Sequence, residues 1–311
     1  MAGQIDISVV IPLLNESDSL EELYQSITSL FAHYGRSYEI IFVDDGSTDG
    51  STEKIRELAK GDKHVRPIIF ARNFGHQVAI TAGWDYARGE AVVIIDADLQ
   101  DPPEVILQLA EKWREGYEVV YAVRAEREGE TWFKKFTASL FYRLIRWITD
   151  VDIPVDTGDF RLMDRKVVNV LKQMKERHRF PRGMSAWVGF KQVGVEYKRA
   201  ARVAGVTKYP FRKMLKLAVN AITGFSYFPL QVATFFGFIS AGVAIVAIPI
   251  VAILRMTGSH FFEGQTTTLI SVLFLGGVQL ISLGILGEYI GRLYDEAKGR
   301  PLYIVREAPE D

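Results

Sequence analysis

Two aspartates follow a short, strongly apolar segment near the middle of the chain. Val92-Val-Ile-Ile95 is typical of a strand covered on both faces, and Asp96 and Asp98 come directly after it. In open α/β sheets, ligands bind just beyond the carboxyl ends of the strands. Mg²⁺ and Mn²⁺ prefer oxygen ligands, and substrate phosphates and water can complete their shells. We therefore predict that Asp96 and Asp98 form the metal and diphosphate site of an enzyme that uses a nucleotide sugar.

The same stretch has simpler interpretations. An Asp-x-Asp triplet occurs by chance in many proteins, and alone it is a weak indication of a metal site. Asp101-Pro-Pro-Glu104 has the pattern of a helix start, with Asp101 as the N-cap, a proline in the first turn and Glu104 completing a capping box. We expect Asp101 to be structural, whereas Asp96 and Asp98 are supported by other acidic motifs.

A second acidic cluster follows another apolar segment. Asp44 and Asp45 come directly after Glu39–Val43, where acidic side chains could accept hydrogen bonds from a base or a ribose. The alternative is a turn in which Ser47 or Thr48 caps the next helix, and we assign Asp49 to that turn. The sequence has neither Gly-x-Gly-x-x-Gly after the first strand nor Gly-x-x-x-x-Gly-Lys, which argues against a Rossmann dehydrogenase and a P-loop nucleotidase.

Strands and helices alternate through the first 125 residues. Segments with helical spacing of apolar residues separate five predicted strands, which are Ile7–Ile11, Glu39–Val43, Val65–Phe70, Val92–Ile95 and Tyr117–Val123. This alternation predicts an α/β fold with a doubly wound, mainly parallel sheet. Both acidic clusters would then lie at one edge of that sheet.

Composition limits the classes of partner and site. The 311 residues carry a formal net charge of −1, which gives no general argument for binding nucleic acid. The chain has no cysteine, so it forms neither a disulfide nor a thiolate metal site, as is common in the cytoplasm. Its five histidines lack zinc-site spacing. The N-terminus lacks a basic segment before its apolar patch, so we expect no signal peptide.

The C-terminal third contains two long apolar segments. No Asp, Glu, Lys or Arg occurs in Leu217–Leu254 or in Gly264–Gly287, and about 20 apolar residues suffice to cross a bilayer. We predict transmembrane helices near 231–254 and 269–289, the alternative being a buried helical hairpin. Basic residues lie before the first and after the second, which predicts that both termini are cytoplasmic.

Basic and aromatic residues also mark the approach to these helices. Residues 133–150 combine an apolar stripe with four basic residues, which is typical of an interfacial helix and equally of a core helix with a basic edge. We predict a juxtamembrane amphipathic helix at 211–229. A catalytic domain would then span 1–210, the two membrane helices 230–291 and a cytoplasmic tail 292–311.

Four motifs, in this order, resemble the inverting glycosyltransferases of family 2. They are Val9-Val-Ile-Pro-Leu-Leu-Asn-Glu16, Val43-Asp-Asp-Gly-Ser-Thr-Asp49, Asp96-Ala-Asp-Leu-Gln-Asp-Pro-Pro-Glu104 and Thr157-Gly-Asp-Phe-Arg-Leu-Met163. With the apolar C-terminal pair, the sequence is most similar to the polyisoprenyl-phosphate branch, in particular the bacterial bactoprenol glucosyltransferases, which are related to dolichyl-phosphate mannose synthases. The resemblance covers nearly the whole chain and implies a GT-A fold.

The resemblance also implies roles for individual residues. Pro12 and Glu16 would line the nucleotide pocket, with Asp44 and Asp45 near the base and ribose. Asp96 and Asp98 would hold the donor and an Mg²⁺ or Mn²⁺ ion, with Gln100 as a further metal contact. Asp159 would be a general base or a partner of the acceptor phosphate. Because arginine and lysine bind phosphate, the candidates for the acceptor site are Arg124, Lys134, Lys135, Arg161, Arg202 and Lys208.

The implied reaction is transfer of glucose from UDP-glucose to undecaprenyl phosphate at the cytoplasmic face of the bacterial inner membrane. Alternative donors are GDP-mannose and a UDP-aminoarabinose derivative. A processive synthase is disfavoured because Gln-x-x-Arg-Trp is absent. A non-catalytic membrane scaffold that binds nucleotide is the alternative from another class. The expected partners are the donor, the lipid acceptor and the bilayer, without nucleic acid, and homo-oligomerisation is expected from the family alone.

Overall fold

An eight-stranded mixed sheet forms the centre of the computed structural model, which describes residues 5–125, 157–198, 223–224, 226–257 and 265–309. The strands are β1 Ile7–Leu13, β2 Tyr38–Asp44, β3 Val65–Phe70, β4 Ala91–Ile94, β5 Val119–Arg124, β6 Thr157–Asp164, β7 Gln192–Tyr197 and β8 Val305–Glu307. The helices are α1 Leu20–Tyr34, α2 Ser51–Gly61, α3 His76–Tyr86, α4 Val105–Arg114, α5 Arg165–Gln173, α6 Pro181–Trp187, α7 Phe228–Met256 and α8 Gln265–Ala297.

The strand order is β7-β5-β6-β4-β1-β2-β3-β8. Strands β4, β1, β2 and β3 are parallel to one another, as are β5 and β7. By contrast, β6 runs antiparallel to β4 and β5, and β8 runs antiparallel to β3. Every residue of β1 is buried, which explains why its sequence is apolar except for Ser8. All five predicted strands are therefore present, and the carboxyl ends of β1, β2 and β4 share one edge.

Helices cover both faces of the sheet. On one face, apolar residues of α1, α2 and α4 pack on alternate residues of the central strands, and Leu23, Ile55 and Leu109 are fully buried. On the other face, α3 and α5 pack around Val10, with Trp84 as the largest fully buried side chain. The period-2 alternation of β1 thus serves two separate cores. This arrangement is the doubly wound one predicted from the sequence.

Strand β6 brings the Thr-Gly-Asp motif to the edge of the sheet where β1, β2 and β4 end. Because β6 is antiparallel to β4, with Ile94 opposite Arg161, the start of β6 lies where β4 ends. Two residues further out in each direction are Asp96 and Asp159. The pairing therefore places these two aspartates side by side, although 63 positions separate them in the sequence.

Helices α7 and α8 are each long and apolar enough to cross a membrane, by length and composition. Their apolar stretches, Phe228–Val251 and Ile270–Ala297, contain no buried residues, and many large apolar side chains are exposed. They contain the predicted spans at 231–254 and 269–289 but are longer than those spans at both ends. The predicted interfacial helix at 133–150 and most of the juxtamembrane segment at 211–229 lie outside the described residues.

The C-terminal residues, where a cytoplasmic tail was expected at 292–311, include the end of a helix and a strand. Helix α8 continues to Ala297, and the chain then returns to the sheet, where Val305–Glu307 forms β8 beside β3. At a rise of about 1.5 Å per residue, the 33 residues of α8 span about 50 Å, which exceeds the roughly 30 Å thickness of a bilayer core. The end of α8 can therefore extend from a membrane to the catalytic sheet.

Candidate active site

His76 lies between the two aligned aspartates. It is the first residue of α3, and its Nε2 is 3.6 Å from Asp96 Oδ1 and 3.3 Å from Asp159 Oδ2. The preceding residue, Gly75, has a φ of 106°, a conformation that residues with a Cβ rarely adopt. Asp45 holds this turn, because its carboxylate accepts hydrogen bonds from the backbone N–H groups of Phe74 and Gly75. The end of β2 thus fixes the start of α3.

Arg182 contacts the other side of Asp159. Its Nε lies 2.8 Å from Asp159 Oδ1, and its Nη2 lies 3.2 Å from Oδ2, a two-pronged geometry that orients a carboxylate. The short helix α6 carries Arg182, and the buried Arg161 supports that helix by donating to Ser185 Oγ and to the carbonyl of Gly158, the latter at 3.0 Å. Arg182 therefore contacts Asp159 directly, and Arg161 supports the helix that carries Arg182.

The charges in this cluster stabilise one another. Burial alone would raise the pKa of Asp159, but Arg182 and His76 hold it well below its ordinary value. Burial alone would lower the pKa of His76, but its hydrogen bond to Asp159 and the charge of Asp96 raise it to about 9. Burial raises the pKa of Asp96 to about 6. Asp159 is consequently an ionised, weakly basic carboxylate bound between two cations.

Several buried polar atoms at this edge have no hydrogen-bond partner. Within the described residues, six buried side-chain atoms lack one, and four of these belong to residues around the Thr-Gly-Asp motif, namely Gln77 Oε1, Asp96 Oδ1, Arg124 Nε and Arg161 Nε. Buried polar atoms are nearly always paired in folded proteins, and exceptions concentrate at functional sites. The edge is therefore suited to a polar ligand.

The Asp-x-Asp segment fits the predicted cation. Asp96 Oδ1 has no hydrogen-bond partner, although His76 Nε2 lies 3.6 Å away. Asp98 lies in a turn where its Oδ1 accepts the N–H of Gln100 at 3.2 Å. Leu99, which lies between Asp98 and Gln100, has a φ of 56°. This conformation is strained for a residue with a side chain, and such strain is common at functional sites. The described residues contain no group of three or more acidic or histidine side chains that could hold a metal alone. Two carboxylates would leave most of an octahedral shell to phosphates and water.

The residues predicted for the nucleotide occupy the same edge, where they are buried or form hydrogen bonds within the chain. Pro12 is buried within β1, and the N–H of Glu16 donates to Ser51 Oγ at 3.2 Å. Asp44 is fully buried and accepts hydrogen bonds from the Ser47 N–H, at 2.8 Å, and from the Thr52 hydroxyl.

Asp45 holds the start of α3, as described above. Asp49 ties Ser17 to Ser51, in agreement with its predicted structural role. The acidic Asp44-Asp45 pair thus acts as a scaffold of the loops in the structure, and contact with a base or ribose stays a prediction.

The predicted acceptor cations have different positions. Arg124 ends β5, and its Nη2 lies against Gly158, where a Cβ would come within 2.9 Å. Arg161 is buried behind the site. Lys134, Lys135, Arg202 and Lys208 lie outside the described residues.

The prediction that Asp101 caps a helix is wrong. Asp101 is buried and accepts a hydrogen bond from the Tyr197 hydroxyl, and α4 begins only at Val105. The tyrosine is on β7, so the side chain ties the turn after Asp98 to the far side of the sheet. Capping-box spacing alone could not reveal this distant partner.

Sequence comparison identifies the family. Residues 8–171 match the model of glycosyl transferase family 2, which covers more than half of the chain. The uncharacterized glycosyltransferase YkcC of Bacillus subtilis is 52% identical over 99% of this chain and 95% of its own length. The SfII prophage-derived bactoprenol glucosyl transferase of Shigella flexneri is 43% identical over 97% of this chain and 98% of its own.

A solved structure is also similar. Glucosyl-3-phosphoglycerate synthase from Mycobacterium tuberculosis, in complex with Mn²⁺, UDP-glucose and phosphoglyceric acid, aligns over 71% of this chain and 78% of its own at 23% identity, with a TM-score of 0.47. The mixed α/β sheet, followed by two apolar C-terminal helices, confirms the expected α/β fold class. The chain belongs to glycosyltransferase family 2.

Proposed function

We propose that this protein transfers glucose from UDP-glucose to undecaprenyl phosphate. The observation that carries the proposal is the 43% identity to a bactoprenol glucosyl transferase over 97% of the chain, because that alignment includes both the acidic edge and the two apolar helices. A soluble glycosyltransferase would need only the former. A lipid acceptor accounts for the presence of both parts in one chain.

In the proposed reaction, an oxygen of the acceptor phosphate attacks C1 of glucose. The bond between C1 and the diphosphate oxygen breaks, and UDP leaves with the electron pair, so that the configuration at C1 inverts. Asp96 and Asp98 would hold an Mg²⁺ or Mn²⁺ ion, with Gln100 nearby. When bound, such a cation stabilises negative charge on the leaving diphosphate.

Asp159 is proposed as a positioning group and not as a strong base. A phosphate acceptor is ionised near neutral pH and needs no proton removed before it attacks. The ion pair with Arg182 keeps the pKa of Asp159 low, which suits a carboxylate that orients its neighbours. Arg182, with Arg124 beside Gly158, would contact the acceptor phosphate and reduce its repulsion by the donor. Lys134, Lys135, Arg202 and Lys208 stay candidates for the same anion.

The two apolar helices would hold this edge beside the lipid. We propose that α7 and α8 cross the plasma membrane of a bacterium, with the sheet and both termini on the cytoplasmic side. The positive-inside rule supports this orientation, because basic residues lie in the last turns of α8 and just after it, namely Arg292, Lys298 and Arg300. UDP-glucose would then reach the site from the cytoplasm and the acceptor from the bilayer.

The test is direct transfer by the purified full chain in lipid nanodiscs. Radiolabelled UDP-glucose with undecaprenyl phosphate and Mn²⁺ or Mg²⁺ should give an organic-extractable labelled lipid, and EDTA should abolish it. A panel with GDP-mannose and a UDP-aminoarabinose derivative in the same assay identifies the donor. Binding of UDP-glucose without any transfer would favour the scaffold alternative, and transfer of another sugar would overturn glucose.

A further inference from the structure

The C-terminal strap, defined here as residues 298–307, fastens the end of α8 to the catalytic sheet. In β8, Val305 pairs with Phe70 and Glu307 with Ile69, at the last two residues of β3. Just beyond, the N–H of Ala71 donates to the carbonyl of Ile304 at 2.9 Å. The strap is therefore attached where β3 leads into the loop that ends at His76.

Tyr303 in this strap makes contacts with both its ring and its hydroxyl. Its ring stacks on Phe70, with centroids 5.1 Å apart and planes 16° from parallel, and Phe70 in turn contacts the edge of Phe74 at 5.6 Å. Its hydroxyl donates to Asp85 Oδ2 at 2.8 Å. Phe74 lies two residues before His76, whereas Asp85 is near the far end of the helix that His76 begins. Tyr303 thus contacts the end of α3 directly, and it reaches Phe74 in the loop before α3 through the ring of Phe70.

The other end of the strap is anchored next to the membrane helix. Glu296, in the last turn of α8, accepts the N–H of Arg177 at 2.7 Å, and Asp295 Oδ2 lies 3.5 Å from His178 Nε2. Arg177 also donates to the carbonyl of Arg300. Arg177 and His178 belong to the segment that leads into α6, and α6 carries Arg182. The end of α8 therefore contacts the segment before Arg182, whereas the strap contacts the segment before His76.

We propose that Tyr303 is a positioning residue for glycosyl transfer, which holds His76 in register with Asp96 and Asp159 by clamping the 71–75 loop between the strap and α3. The proposal rests on the proposed function, because it concerns the alignment of that site. Because the strap continues from α8, this second apolar helix would help to align the site. Misplacement of a catalytic group by about 1 Å can cost up to about a hundredfold in rate.

The contacts argue for positioning in addition to stability. Strand β8 has only three residues at an edge of the sheet, and of these Val305 alone packs against a core, as a partly buried side chain. The loop it holds includes Gly75 at a positive φ and precedes a histidine shared by two carboxylates. Small displacements of this loop would change the distances from His76 to Asp96 and to Asp159. Loss of the clamp should therefore affect turnover more strongly than folding.

The experiment compares full-length variants in nanodiscs. Tyr303→Ala removes ring and hydroxyl, Tyr303→Leu keeps an apolar side chain should the alanine variant misfold, and Tyr303→Phe keeps the stacked ring alone. Ile304→Ala is the matched control, because the Ile304 side chain is 53% exposed and its bonded carbonyl stays. We expect kcat to fall about tenfold or more for the alanine and leucine variants, with KM for UDP-glucose changed less than about twofold. The phenylalanine variant should recover most of kcat.

Hydrogen exchange of residues 71–76 gives a second measurement that needs no activity. The alanine and leucine variants should exchange these amides faster than the wild type and the Ile304→Ala control, while β1 stays protected. Wild-type kcat in both of these variants, or unchanged exchange at 71–76, would overturn the proposal. If the wild-type chain transfers no glucose, the proposed function fails, and exchange at 71–76 alone decides whether the strap positions the loop.

Discussion

Asp98 combines a structural contact with a proposed metal contact, and one substitution can separate the two. Asp98→Asn keeps an oxygen that can accept the Gln100 N–H but removes the charge. We expect transfer to fall by about a hundredfold or more, because a bound cation stabilises the leaving group by several kcal/mol. The Mn²⁺ concentration needed for half-maximal activity should rise. Titration of activity against Mn²⁺ measures both effects.

Glu115→Gln is the control for this charge change. Glu115 is exposed at the end of α4, and its carboxylate pairs with Lys112, three residues earlier. Its removal should leave the Mn²⁺ titration unchanged. An Asp98→Asn variant with wild-type turnover and Mn²⁺ dependence would show that the cation is held elsewhere.

Arg182 tests the geometry around Asp159. Arg182→Lys keeps a positive charge but loses the planar fork that contacts both carboxylate oxygens. We expect the lysine variant to lose about tenfold in kcat/KM for undecaprenyl phosphate and Arg182→Ala considerably more, with smaller effects on KM for UDP-glucose. Steady-state kinetics with each substrate varied in turn makes this measurement. Equal losses for both substrates would contradict an acceptor-side role.

At the residue scale, sequence motifs located the acidic groups but not their cations. Asp96, Asp98 and Asp159 each lie in a recognisable motif, and antiparallel pairing of β6 with β4 explains why they meet. His76 and Arg182 lie outside the motifs used, and they reach Asp159 only through tertiary contacts. Arg72-Asn-Phe-Gly75 leads into α3, but the hydrogen bonds that hold this turn are accepted by Asp45, which is 30 residues before Gly75.

At the element scale, the packing of α3 on β1 depends on Gly83. A Cβ at this position would lie 2.1 Å from Val10 Cγ1 in the fully buried central strand. Gly83→Ala should therefore destabilise the protein by about 1–3 kcal/mol, although alanine favours helices, because overpacking in a rigid core forces side chains or backbone to shift. Thermal or denaturant unfolding of the full chain in detergent measures the change.

Two further variants isolate the cause. Gly61→Ala in α2 has open space around its new Cβ and should be neutral or slightly stabilising. Val10→Ala removes the clashing methyl groups, so its combination with Gly83→Ala should be less destabilised than the sum of the single variants. Strict additivity would place the strain elsewhere.

The elements differ in how far local sequence determines them. Strands β1 to β4 are buried on both faces and therefore have apolar sequences that predict them. Strand β8 could not be predicted, because three half-exposed residues carry no pattern and their partner is more than 200 positions away. For the same reason Asp101 was assigned to a local cap although its partner is Tyr197. Local periodicity records burial but not long-range pairing.

At the scale of the whole molecule, the sheet and the apolar helices form one connected unit. Tyr289 on α8 donates to the carbonyl of Ser226 just before α7, at 2.7 Å, which joins the two helices at one end. The strap then joins that same end to β3. If α7 and α8 cross a membrane as proposed, this arrangement places the start of α7 and the end of α8 on the same side of it as the sheet.

Engineered cysteines test this topology, since the chain has no cysteine of its own. We expect Ser259→Cys, between the two apolar helices, to react with a membrane-impermeant maleimide in intact cells with a permeabilised outer envelope. Arg300→Cys, which is exposed in the strap, should react only after the inner membrane is opened. Glu115→Cys in the catalytic domain is the matched cytoplasmic control. Labelling of position 300 from outside in sealed cells would refute the orientation, because the strap fixes this position beside the sheet that would bind cytoplasmic UDP-glucose.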